Sequence, residues 1–124
     1  MIKNVKHDGK KIIIESTEGT FEKLFRDAIK ETLAHENRIL VVLNYMDYSK
    51  TLGNRNIFCL NERAEALWQI QNPDDSRTDG KQTDSPFVGM HITKDGRLRA
   101  TSWCSYAYDV DMETGKLSNA TFTK

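Results

Sequence analysis

Three acidic side chains close the stretch Tyr108 to Gly115: Asp109, Asp111 and Glu113. Residues two apart on a strand project from one face, so Asp109 and Asp111 have the spacing for binding a cation or for acid–base work. An acidic strand end beside a glycine turn more commonly stays solvated and protects a sheet edge. With His91, Asp109 forms the one enzyme-like pairing worth naming. The three histidines, His7, His35 and His91, show neither HExxH nor CxxC spacing, and no metal site is expected. Cys59 and Cys104 sit inside apolar runs and read as buried free thiols rather than as a nucleophile or a disulfide. The chain has no GxSxG elbow and no glycine-rich phosphate loop. It is therefore read as a non-enzyme without a cofactor.

Other residues suit recognition. Acids concentrate in two polar loops: Asp47 beside Tyr48, and Asp74, Asp75, Asp79 and Asp84 in the long stretch Gln71 to Pro86. Long structureless loops in small domains are usually functional or disordered. Trp103 adds an aromatic anchor of the kind that favours interface centres. The expected partner-binding set is Asp47, Tyr48, Asp74, Asp75, Asp79, Asp84, Trp103, Asp109 and Asp111, with acidic loops steering a basic partner. Lys94, Arg97 and Arg99 near Trp103, Tyr106 and Tyr108 could stack on a nucleic acid. The acids that follow oppose a polyanion.

The totals agree. Lys+Arg and Asp+Glu are both 18, so formal net charge is zero, which disfavours a dedicated nucleic-acid or membrane-surface binder. The 124 residues, 38% hydrophobic and 29% charged, suit one domain, residues 1–124, with a single core. No apolar run has a membrane-spanning length. The N-terminal MIKNVKHDGKK lacks an apolar signal core, so a cytoplasmic protein is expected. Oligomeric state is left open.

The positioning elements read mostly as strands. Ile2 to Ile14 is a hairpin about His7-Asp8-Gly9. Thr20 to Ala34 has helical spacing at Phe21, Leu24, Phe25, Ala28, Ile29 and Leu33, and helix or strand stays open at 21–33. Arg38 to Met46 is a β-branched run long enough for a strand buried on both faces. In NIFCLNERAEALWQI, Ile57–Leu60 and Ala66–Ile70 read as a hairpin in preference to a helix, with Ala64 or a neighbour in a left-handed conformation. Val88, Met90 and Ile92 should face the core and Phe87, Gly89 and His91 the other side. Lys94-Asp95-Gly96 is a turn, Arg97 to Tyr108 a long strand bulged near Cys104, and Lys116 to Thr123 a last strand. The expected fold is mainly β: a single antiparallel sheet domain, as a meander, curved sheet or small sandwich, with at most one short helix. Its core should draw on Ile12, Ile14, Ile39, Val41, Leu43, Phe58, Leu60, Trp68, Ile70, Val88, Met90, Ile92, Leu98, Tyr108 and Val110.

RNIFCLNERAEALWQI, then SPFVGMHITKDGRLRATSWCSYAYDVDMETGKL, then FTK resemble a bacterial group of small uncharacterised β-proteins. That group runs N-[IV]-[FY]-x-[LV]-[DN]-x-x-G-x-x-x-W-Q-I, then strand–xDG–strand with an aromatic pair, then D-x-x-TG. Ala64 stands where the group tends to have glycine, and in the group the stretch matching Leu24 to Leu33 looks like strand. The units also look like single β-propeller blades, although a chain this short cannot close a propeller. Domains of this kind are similar to immunity proteins of bacterial toxin–immunity systems, including contact-dependent growth inhibition. The resemblance implies a protein that binds and neutralises a cognate toxin, a nuclease-type domain, by occluding its active site. The alternative is a small ligand- or peptide-binding β module, and behind it an enzyme using His91 and Asp109.

Overall fold

A computed structural model describes residues 1–44, 55–71, 86–103 and 106–122. These contain eleven strands and no helix: β1 Ile2–Asp8, β2 Lys11–Ser16, β3 Gly19–Leu24, β4 Ile29–His35, β5 Arg38–Leu43, β6 Ile57–Leu60, β7 Ala66–Gln69, β8 Phe87–Ile92, β9 Leu98–Ser102, β10 Tyr106–Val110 and β11 Leu117–Phe122. All pairings are antiparallel. Mainly β is the observed class, but the strands divide into three successive meanders rather than one sheet: β1-β2-β3 (sheet A), β4-β5-β6-β7 (sheet B) and β8-β9-β10-β11 (sheet C).

Sheet B lies between the other two. Ile39, Val41 and Leu43 of β5 join Ile12, Ile14, Phe25, Ile29 and Leu60 in one cluster toward sheet A. Leu40 and Val42 join Ile57, Cys59, Trp68, Ile70, Phe87, Leu98, Ala100, Tyr108 and Val110 in a second cluster toward sheet C. Five consecutive residues, Ile39 to Leu43, are at most 1% exposed because each face of β5 meets a different sheet.

The segment 21–33 is strand, loop, strand. Phe21, Phe25 and Ile29 all face the core between sheets A and B, and a register shift between Ile29 and Glu31 turns Leu33 to the other core, which together mimic helical spacing. Backbone bonds from Phe25 N to Lys10 O and from Ile29 N to Gly9 O, both 2.8 Å, tie the loop at residues 25–28 to the β1–β2 turn. Glu22 is paired with Lys11 across the sheet. The long strand expected from Arg97 to Tyr108 is also corrected. It folds back on itself as β9 and β10, pairing Thr101 with Ala107. At β8 a register shift between Phe87 and Gly89 turns Phe87 inward, where it is fully buried against Tyr108. Of the expected core, Phe58, Val88, Met90 and Ile92 are only half-buried.

The motif residues mostly serve this fold. Asn56 is fully buried. Its Nδ2 donates to Leu43 O (3.0 Å) and Phe87 O (2.8 Å), and its Oδ1 accepts from Phe87 N (2.7 Å). One amide thus joins sheet B to the first residue of sheet C. Asn61 Oδ1 accepts from Arg63 N (2.8 Å) and Glu65 N (3.0 Å), closing the β6–β7 turn. Ala64 there has φ +62°, the conformation that explains glycine in the related pattern. Trp68 Nε1 donates to Met112 O (2.8 Å). Gly115, at φ +78°, packs on the Trp68 ring so closely that a Cβ would lie 2.5 Å from it.

Two stability outcomes are expected from chemical denaturation. Gly115→Ala combines overpacking with a left-handed backbone and should cost roughly 2–4 kcal/mol. Asn56→Ala orphans three buried backbone groups and should cost about 3–5 kcal/mol. Wild-type midpoints for either variant would refute the role given to that residue.

Candidate functional site

The stack has two distinct ends. Gly9, Ala28, Asn44, Asn56 and Pro86 mark the end where chain connections pass between sheets. At the opposite end stand the hairpin turns at 17–18, 36–37, 61–65, 93–97 and 111–116. Tight turns put polar side chains on that end, because each strand reverses there and its last side chains point to water.

An open cleft of about 600 Å³ on this turn face spans sheets A and B. Its lining includes Glu18 from the β2–β3 turn, Glu36 and Asn37 from the β4–β5 turn, and Arg38. Asn61, Glu62, Arg63, Glu65 and Leu67 complete it from the β6–β7 hairpin. Glu36 and Asn37 are the two central residues of a two-residue turn, at φ +48° and +65°, which is the hairpin geometry that asparagine tolerates. Asn37 Oδ1 accepts from Ile2 N at 2.9 Å and so ties sheet A to sheet B.

Four glutamates face two arginines here, and both arginines are committed. Arg63 forks onto Glu18, with Nε–Oε2 at 2.6 Å and a second bond of 3.1 Å to Oε1. Arg38 reaches Glu113 at 3.2 Å and also donates to Met112 O, joining sheet B to the β10–β11 turn. The α-amino group of Met1 pairs with Glu62. Glu36 and Glu65 are both exposed, Glu36 with the His35 ring 3.9 Å from its carboxylate and Glu65 accepting from Asn61 Nδ2 at 3.1 Å. Leu67, 44% exposed, supplies an apolar patch on the wall. The cleft is an acid-rich surface with one apolar contact point, suited to holding a cationic group.

The expected partner-binding residues are scattered. Asp47, Tyr48, Asp74, Asp75, Asp79 and Asp84 lie outside the described residues, as does Cys104. Trp103 is 58% exposed just after β9. Asp109 is only 8% exposed and lies on β10, an inner strand of sheet C, so it protects no edge. Its carboxylate accepts from Asn119 (2.7 Å), Arg99 (2.6 Å) and Arg97 (2.8 Å). These bonds, led by that from Asn119, hold its pKa below the usual carboxylate value. Asp111 is exposed in the turn, where its side chain accepts from Glu113 N at 2.8 Å. His91 is exposed on β8 opposite Arg99. Cys59 is buried, and desolvation pushes its thiol up to about 11, the state of an inert core thiol. Among the described residues, no three His, Cys, Asp or Glu side chains cluster as metal ligands. Sequence reasoning missed the cleft because its four glutamates come from three separate turns.

The Arg63 fork leaves a signature. Its hydrogen bond to Glu18 is the main cause that lowers that carboxyl below the ordinary glutamate range. A group depressed in the fold contributes stability above its unfolded pKa and loses it as pH falls through the folded value. In an NMR titration Glu18 should therefore titrate below free glutamate, and Arg63→Gln should return it to the ordinary value. An unchanged Glu18 curve in that variant would rule out the fork in solution.

No curated protein matches this sequence at a significant level. Among solved structures, the crystal structure of the computationally designed Ika8 protein matches with a TM-score of 0.55 at 7% identity, covering 99% of this chain and 37% of that one. The computationally designed Ika4 protein matches with a TM-score of 0.55 at 7% identity, covering 100% of this chain and 74% of that one. The chain thus spans little more than a third of the first of these, and the likeness is one of fold. The family model described as Domain of unknown function (DUF7957) matches residues 2–122, and the chain belongs to that family.

Proposed function

We propose that this protein is an immunity protein: it binds a cognate bacterial toxin domain, of nuclease type, and neutralises it by occluding the active site, without catalysis or a cofactor. The acid-rich cleft on the turn face is the observation that supports this reading. A nuclease must present cationic side chains to the phosphates of its substrate. A surface with exposed carboxylates at Glu36 and Glu65, and Leu67 beside them, is complementary to such a groove and competes with nucleic acid for it.

A cytoplasmic setting goes with this proposal. Among the described residues, no helix is long and apolar enough to cross a membrane. The second reading is the ligand- or peptide-binding module, favoured by the cleft volume of about 600 Å³, which is in the range of small-molecule sites.

Tagged protein used as bait in the source strain should recover one stoichiometric toxin domain, identified by mass spectrometry. That domain's nuclease activity should fall on adding the protein. The double variant Glu36→Lys/Glu65→Lys should weaken inhibition by at least tenfold while keeping the wild-type circular dichroism spectrum. A bait that returns no toxin would sink the immunity reading. Full inhibition by the double variant would move the interface away from the cleft.

A further inference from the structure

We propose that two copies of this chain associate head to tail, the outer face of sheet A on one copy packing against the outer face of sheet C on the other, to close a ring of six sheets. Sheet B shows what lies between two sheets in this architecture, since it is covered on both faces. Among the described residues, sheets A and C each bury one face in these clusters. The strand registers identify the other face. On sheet A it carries Lys6, Asp8, Lys11, Ile13, Glu15, Glu22 and Leu24.

On sheet C it carries His91, Arg99, Thr101 and Asp109, with Arg97 and Trp103 at the two ends of β9.

The two faces are complementary in three ways. The face on sheet A sets three acids against two lysines, and that on sheet C presents the guanidinium groups of Arg97 and Arg99, which on their own sheet pair with Asp95 and Asp109. Each also leaves a large apolar side chain in water, Leu24 at 73% and Trp103 at 58% exposure. Both apolar side chains stand at the connection end of the stack. Leu24 pairs with Lys11 beside the β1–β2 turn, and Trp103 N donates to Pro86 O at 2.8 Å. Head-to-tail stacking keeps that end aligned, so Trp103 meets the level of Leu24 while Arg99 meets the level of Glu22.

Area explains why the assembly closes. A three-strand face six residues long covers about 300 Å² in plan. One such contact is smaller than a stable interface needs. Two copies form two of them and bury roughly 1,200 Å² in total, the lower bound of the standard class. The contact is heterologous, so it either closes into a ring or runs on as a filament. Neighbouring sheets already meet on one side of the stack, edge strand β1 against edge strand β4, and edge strand β8 against β5, the strand next to β4, as blades do around an axis, and this curvature favours closure. The cleft on the turn face stays open in such a ring.

Sedimentation equilibrium on the full chain should give a discrete dimer of the 14.3 kDa protomer. Leu24→Asp and Trp103→Asp should each weaken it at least tenfold. An equimolar mixture of the two should associate more tightly than either variant alone, because one of its two contacts is then wild type on both sides. If Trp103→Asp loses the wild-type circular dichroism spectrum, Thr101→Arg on the same face replaces it. A monomer at all concentrations would overturn the proposal, as would species that grow beyond two copies. Loss with Leu24→Asp but not with the sheet C variant would mean pairing of A with A, and would overturn it too.

Discussion

The side-chain amide of Asn56 is the joint on which the stack depends. A peptide group that leaves one sheet and enters the next cannot be paired by either ladder, and water cannot reach it in the core. Asn56 meets that need with one planar group that both donates and accepts. It satisfies the carbonyl of Leu43 at the end of β5 and both polar groups of Phe87 at the start of β8. Leu43 N returns a bond to Asn56 O at 2.9 Å. Ends of three strands, from two sheets and two long connections, are thereby fixed at one point. An apolar residue would fill the space but leave those groups unpaired, and an aspartate could not donate.

With that joint set, the central sheet can be apolar on both faces. β5 contributes alternately to two cores, and sheets A and C need only one apolar face each. This arrangement explains why β2 alternates while β5 does not: the burial pattern along β2 has period two, and that along β5 has none. It also assigns the charged residues. Those on sheet faces pair across strands, as Asp109 does with Arg97 and Arg99, whereas those in turns gather at one end. The acid-rich cleft is a consequence of stacking sheets A and B with the turns at 17–18, 36–37 and 61–65 on the same end.

The same geometry separates motif from function. Asn56, Asn61, Trp68, Gln69 and Ile70 stand out in the sequence, and each has a structural task. Gln69 Nε2 caps Arg55 O at 2.8 Å, Trp68 binds the Met112 carbonyl, and Ile70 fills the core. The cleft residues that support recognition carry no motif at all. They are ordinary surface glutamates, made into a site only by the turns that converge there.

The sequence by itself determined the class, the turns and most of the strands. Lys94-Asp95-Gly96, Glu113-Thr114-Gly115 and the run at Ile39 to Leu43 carry local conformational preference, which no partner is needed to read. It also marked Ala64, whose left-handed backbone is set by its own turn. The tertiary structure alone decided the division into three sheets, the inward turn of Phe87, the reversal between β9 and β10, and the strand–loop–strand form of 21–33. Each of these turns on which long-range partner a strand finds. Helical spacing at Phe21, Phe25 and Ile29 and a strand broken by a loop bury the same residues, so the pattern cannot tell them apart. Only the backbone bonds to Gly9 and Lys10, from a hairpin more than a dozen residues away, choose between them.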